Sequence, residues 1–153
     1  MRRRLFHSRG IFRDRSLFRE RSGVTSIEFA LIAPIVISLM MGVVEFGISM
    51  WSYNAMRSVA VDVSRYATIN YTSGNKLTND QLTAYTRARA IDSPYSLVSS
   101  QLNISVTDAT AQQISGARQM NLSLFYQVPS MLQMVGLPDL RLSYTRPIYV
   151  TTS

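Results

Sequence analysis

The chain has 153 residues, 46% of them hydrophobic, with no cysteine and a single histidine, His7. These absences exclude a disulfide framework, thiolate metal sites and cysteine nucleophiles, and His7, alone in an arginine-rich leader, reads as a solvated residue rather than a ligand. The net charge of +7 is lopsided: residues 1–23 hold eight arginines against Asp14 and Glu20, net +6, whereas residues 24–153 hold eight basic and seven acidic side chains, net +1.

The high pI therefore belongs to the leader. A folded basic face of the kind that binds nucleic acid is not indicated beyond Gly23. After the leader comes an apolar run, Phe29 to Trp51, FALIAPIVISLMMGVVEFGISMW, in which Glu45 is the one charge. Roughly 20 apolar residues cross a bilayer core as a helix, so this run is expected to span a membrane. Arg13, Arg15, Arg19 and Arg21 precede it, and Trp51 and Tyr53 follow it with only Arg57 close behind. The positive-inside rule then puts residues 1–23 in the cytoplasm and the C-terminal part across the membrane. A removed secretory signal fits less well: the nearest small-residue site ends at Ala55, with bulky Tyr53 two residues before it. A twin-arginine reading of Arg3 and Arg4 fails because the apolar run starts too far downstream.

Helical character continues past the span. Met56, Val59, Val63 and Tyr66 or Ala67 recur at spacings of three and four, and neither Pro nor Gly interrupts between Gly47 and Gly74. A helix from Val24 to Ile69 would measure about 69 Å, over twice the roughly 30 Å hydrocarbon thickness. Half of it should protrude. Tyr71 to Lys76 reads as a loop, and Thr78 with Gln81 forms a capping box for a short helix ending near Ile91, before Ser93-Pro94, with Leu82, Tyr85 and Ile91 available to pack. Three period-two stretches follow, the pattern of half-buried strands. One carries Leu102, Ile104 and Val106, and the next Met120, Leu122, Leu124, Tyr126 and Val128. The last carries Leu140, Leu142, Tyr144, Ile148 and Val150, with Arg146 out of pattern. Between the second and third lies PSMLQMVGLPD, more apolar than a solvated loop requires, which either folds back on the core or forms a contact patch.

The expected fold is α+β: a long N-terminal transmembrane helix extends into a small exported domain with a short helix and a three-stranded antiparallel sheet. The expected segments are a basic leader at 1–23, a helix at 24–70 (spanning at 29–51, protruding at 52–70) and an α+β domain at 71–153. An exported part of about 80 residues is near the size at which a core alone gives marginal stability, which favours association with partners.

Two groups of residues in the helix invite a functional reading. Ser38, Gly42, Glu45, Ser49 and Ser52 recur at spacings of four and three, a small and polar stripe of the type used in close helix packing within membranes. Glu45 is either a buried contact or a partly solvated acid near the far interface. The other group is at the threshold: Gly23, four residues VTSI, then Glu28-Phe29. By itself Glu28 could be an interfacial acid favoured by the helix macrodipole. With the basic leader before it and the apolar helix after it, the arrangement resembles the class III prepilin signal of Tad (tight adherence) pilins and pseudopilins. IEFALIAPIVISLMMGVVEFG and VAVDVSRYATIN resemble the TadE family over roughly residues 21–70, while the strand region carries no diagnostic motif.

The resemblance implies cleavage between Gly23 and Val24 by a membrane prepilin peptidase. It further implies pairing of Glu28 with the N-terminal amine of a neighbouring subunit, and a non-enzymatic role supporting a Flp-type pilus in adherence. The implied partners are the peptidase, other pilins and pseudopilins and the Tad inner-membrane assembly platform. The domain would be periplasmic and the span in the bacterial inner membrane, with no cofactor, metal or nucleic acid. In this scheme glycine at the cut allows close approach of the peptide to the enzyme. Pro34 removes the hydrogen bond to Ala30 and can loosen the helix. A different reading is an uncleaved single-pass adaptor tethering a periplasmic protein-binding domain. A major filament subunit is disfavoured by the strand region, and no nucleophile–base constellation supports catalysis. Asp62 with Arg65 reads as a solvated i,i+3 pair.

Overall fold

A computed structural model describes residues 17–111, 113–130, 136 and 139–151, with side chains from Gly23 onward. Most of the leader, and within the apolar connection residues 131–135, 137 and 138, lie outside the described residues. The order of elements is α1 (Leu17–Thr72), α2 (Asn79–Ile91), a 3-10 turn (Ser99–Gln101), β1 (Leu102–Asp108), β2 (Ala117–Gln127) and β3 (Arg141–Thr151). Two compact units divide the chain, one of residues 1–39 and one of residues 40–153.

Helix α1 is longer than its sequence suggests at both ends, starting at Leu17 rather than Val24 and running to Thr72. Leu, Arg and Glu, which dominate residues 17–21, are strong helix formers, and Gly23 alone does not break the run. At the other end Tyr71 is buried in the core, which holds the last turn in helical form. The stop comes at Gly74, whose φ of +81° is open to glycine without strain, with Gly74 N–H donating to the Tyr71 carbonyl and Asn75 N–H to that of Asn70. Helix continues through Pro34, and Ser38 Oγ donates to the Pro34 carbonyl at 2.8 Å.

In the larger unit α1 is the central element of the core. Met56, Val59, Ala60, Val63 and Ala67 are fully buried, a one-sided stripe with the spacing of a helix face. The sheet supplies the opposing layer. Its order is β1-β2-β3, antiparallel throughout. Ile104 stands opposite Leu124, which stands opposite Tyr144, and Met120 stands opposite Ile148. Even-numbered residues point inward: Leu102, Ile104 and Val106; Met120, Leu122, Leu124 and Tyr126; Ile148 and Val150. The three expected alternations thus form one sheet with one buried face.

Three residues depart from expectation. Leu140 precedes β3 and is exposed, because Arg141 is the first residue paired with β2. Ile91 is exposed as well: Leu82, Thr86 and Ala90 occupy the buried stripe of α2, and Ile91 is turned about 100° off it. Arg146 belongs to the inward row, half-buried, and its Nε donates to Ser64 Oγ of α1 at 3.0 Å. The outer face of the sheet is largely polar, with Ser123 Oγ 3.1 Å from Thr145 Oγ1 across β2 and β3.

Thr78 and Gln81 form the expected capping box: Thr78 Oγ1 accepts from Gln81 N–H, and Gln81 Oε1 accepts from Thr78 N–H. Helix α2 is held to α1 by a near-parallel stack of Tyr85 on Tyr66, with centroids 3.7 Å apart. It is also held by Asp62, whose partner is not Arg65 but Arg89: Arg89 Nε lies 3.2 Å from Asp62 Oδ2, and Tyr95 O–H donates to the same oxygen. The Asp62 carboxylate raises the Arg89 guanidinium further above its ordinary value, while burial, then Asp62, pushes the Tyr95 phenol up.

Candidate functional site: the head of the long helix

In the smaller unit, Gly23, Val24, Glu28 and Phe29 all lie in α1 and are solvent-exposed. A Cβ built on Gly23 would have no heavy atom within 4 Å, so the position is open to an approaching molecule from its side-chain direction. Val24 and Glu28 are four residues apart and therefore on the same helix face. From Ile27 to Leu39 every large apolar side chain is exposed, as expected of a surface meant for lipid or for other helices. The stretch Gly23–Thr72 contains a helix long and apolar enough to cross a membrane.

The small and polar stripe divides between two environments. Ser38 is exposed, and Gly42 has nothing within 4 Å of where a Cβ would stand. Ser49 and Ser52 are buried within the larger unit, their hydroxyls donating to the Glu45 and Ile48 carbonyls. Glu45 is half-buried, and its Oε1 accepts a 2.6 Å hydrogen bond from Ser130 Oγ, just beyond β2. The Glu45 carboxylate thus meets a group of the same chain 85 residues away.

A second polar cluster, which sequence reasoning missed, closes the opposite end of the sheet. Arg118 at the start of β2 donates from Nε and Nη2 to the two carboxylate oxygens of Asp108 at 2.7 and 3.0 Å. Nη2 also donates to Asn79 Oδ1 and Nη1 to Tyr71 Oη, while Tyr71 O–H donates to the Leu77 carbonyl. One guanidinium therefore ties together α1, the loop before α2, α2 itself, β1 and β2. Arg118, and to a lesser extent Asn79, hold the Asp108 carboxyl below the usual carboxylate range, against the opposing effect of burial. The sequence signal was present but generic: a lone acid and a lone arginine flanking the turn between two alternating stretches. Among the described residues, no three His, Asp or Glu side chains converge as a metal ion would need.

The exposed glycine, the acid one turn after Val24 and the apolar surface that follows are the features by which this helix can be compared with known proteins. Residues 23–65 match the family model of TadE-like proteins. The TadE-like segment begins at the glycine and ends inside the folded unit, so α2 and the sheet lie outside the match. No curated protein and no solved structure matches the chain. Within the TadE-like segment fall every threshold residue singled out from the sequence, Gly23, Val24, Glu28 and Phe29, and the stripe from Ser38 to Ser49. Residues 23–65 are thus similar to TadE-like proteins, and the helix they lie in is long and apolar enough to cross a membrane.

Proposed function

We propose that the protein is a minor pilin, or pseudopilin, of the TadE kind, cut by a prepilin peptidase between Gly23 and Val24 and supporting assembly or initiation of a Flp-type pilus. The observation that carries this reading is the Gly23, VTSI, Glu28-Phe29 sequence at the head of a TadE-like apolar helix. Orientation follows the positive-inside rule, with the leader cytoplasmic and the sheet domain periplasmic.

The geometry is suited to each step. Glycine costs a helix about 1 kcal/mol relative to alanine, so unwinding α1 at Gly23 to present an extended peptide is cheap. Before the cut, leader arginines hold this segment at an anionic membrane surface, at about 1 kcal/mol each. After the cut, Val24 carries a new amine one turn from Glu28. In lipid, a carboxylate and an ammonium left apart are costly, so pairing between neighbouring subunits fixes their relative height. Ser38, which is exposed, and Gly42, which has open space where a Cβ would stand, are the members of the stripe left for contacts with another helix. Peptidase, other pilins and the Tad inner-membrane platform are the partners this scheme requires, and no step is enzymatic on this chain's part.

The deciding experiment is the mass of the mature protein, wild type and Gly23→Leu. Loss of residues 1–23 from the wild type, and retention of the leader in Gly23→Leu, is the expected result. A wild-type chain that keeps residues 1–23 would instead favour the uncleaved adaptor.

A further inference from the structure

We propose that the end of the sheet formed by the last residues of β2 and the first of β3 rests in the phospholipid interface, making the folded domain a second membrane contact beside the span. The inference rests on reading residues 29–51 as membrane-spanning; it is independent of cleavage and of pilus assembly.

The observation that carries it is the hydrogen bond from Ser130 to Glu45. Glu45 lies six residues before Trp51, the aromatic that marks the far end of the apolar run, which is about 9 Å along the helix axis toward the bilayer centre. Aromatic rings of this kind settle at headgroup level. Ser130 reaches below that level, and it brings its strand ends with it, because Val128 N–H donates to the Leu140 carbonyl at 2.9 Å and closes the β2–β3 ladder there. Around Glu45 the helix offers lipid an exposed surface of Phe46, Ile48, Met50 and Trp51. On the sheet side the same level carries Leu140, 47% exposed although it adjoins a core strand.

The polar groups there are those an interface accepts. Arg141, exposed at the start of β3, stands beside Leu140 with its guanidinium suited to phosphate. An open depression of about 390 Å³ next to it is lined by the amides of Gln101, Asn103 and Gln127 together with Phe125 and Leu142, a mixture that fits a headgroup above and acyl carbon below. A Glu45 carboxylate buried in hydrocarbon would be expensive. The Ser130 hydroxyl supplies a donor to it where water is scarce.

The test uses the full chain in vesicles of phosphatidylcholine and phosphatidylglycerol, with acyl chains brominated close to the headgroup. Trp51 is the only tryptophan and reports directly on the span. In the double variants Trp51→Phe/Leu140→Trp and Trp51→Phe/Tyr149→Trp the reporter moves to the two ends of β3, nine residues or about 30 Å apart. Leu140 and Tyr149 are both exposed, so neither change disturbs the core. Expected is quenching at position 140 of at least about half that of Trp51, matching a depth of roughly 5–10 Å into the interface, and none at position 149. Quenching of Trp51 with none at 140 overturns the proposal and leaves that sheet end facing water or a protein partner. An unquenched Trp51 would overturn the membrane reading and this inference together, whereas the mass of the mature N-terminus affects neither.

Discussion

Replacing Arg118 with methionine removes one charge and the guanidinium's bonds to Asp108, Asn79, Tyr71 and Leu77 while keeping an unbranched stem of similar length. Asp108 then loses its two charge-assisted hydrogen bonds and keeps Asn79, whose Nδ2 donates to Asp108 Oδ2 at 3.2 Å. Tyr71 keeps its bond to the Leu77 carbonyl. Hydrogen bonds to charged groups contribute about 1.5–3 kcal/mol when buried, and exposed ion pairs about 0.2–1 kcal/mol. The Arg118 and Asp108 side chains are 27% and 49% exposed, which places the whole cluster between these ranges, at about 2 kcal/mol. For a folded unit of this size that is a fall in Tm of about 8 °C. Thermal unfolding of the full chain in detergent, followed by circular dichroism, measures it.

The dependence on pH supplies a second, sharper readout. Asp108 is depressed in the folded state, chiefly by Arg118, so its contribution is complete above the unfolded value of about 3.9 and is lost as pH falls through the lower folded value. The gap between wild type and Arg118→Met should therefore be constant near neutral pH and narrow below about pH 4. A gap smaller than about 1 °C at neutral pH, or one that persists undiminished in acid, would refute the assignment of this stability to the Arg118–Asp108 pair.

Two further changes probe the layers separately. Leu122→Ala, at a fully buried position between β1 and β3, should cost about 3 kcal/mol by combined transfer and cavity terms, measured as a shift in the denaturant midpoint with unchanged slope. Thr78→Ala should cost about 1 kcal/mol and speed hydrogen exchange at the Gln81 amide, which loses its acceptor, while leaving the Leu122 amide protected.

What could be read from the residues was whatever rests on short-range pattern. The three strands show as alternations because one sheet face is buried and the other wet, and the Thr78–Gln81 cap shows because both halves of it lie within one turn. What could not be read depends on chain segments meeting across long separations. Arg65 is the nearest cation to Asp62 in sequence, yet Arg89, 27 positions away, holds it. Arg146 looked like a fault in the β3 alternation because its acceptor, Ser64, lies 82 positions away on α1. Strand order, left open by the sequence, is β1-β2-β3, each strand pairing with the next along the chain. For the threshold residues the sequence was the richer source: Gly23 and Glu28 have a spacing that carries meaning, whereas their surroundings in a single chain are bare helix surface.

The sharing of one core by Met56 near the beginning of the folded unit and by Ile148 and Val150 near its end has a consequence for biogenesis. As the polypeptide is made, α1 is completed first, and its apolar stripe from Met56 to Ala67 then waits for roughly eighty more residues before its last neighbours arrive. Contacts this distant in sequence form late and leave the intermediate sticky. That stripe stays uncovered until the final strand is made, and a chain cut short before β3 should be degraded rather than merely weakened.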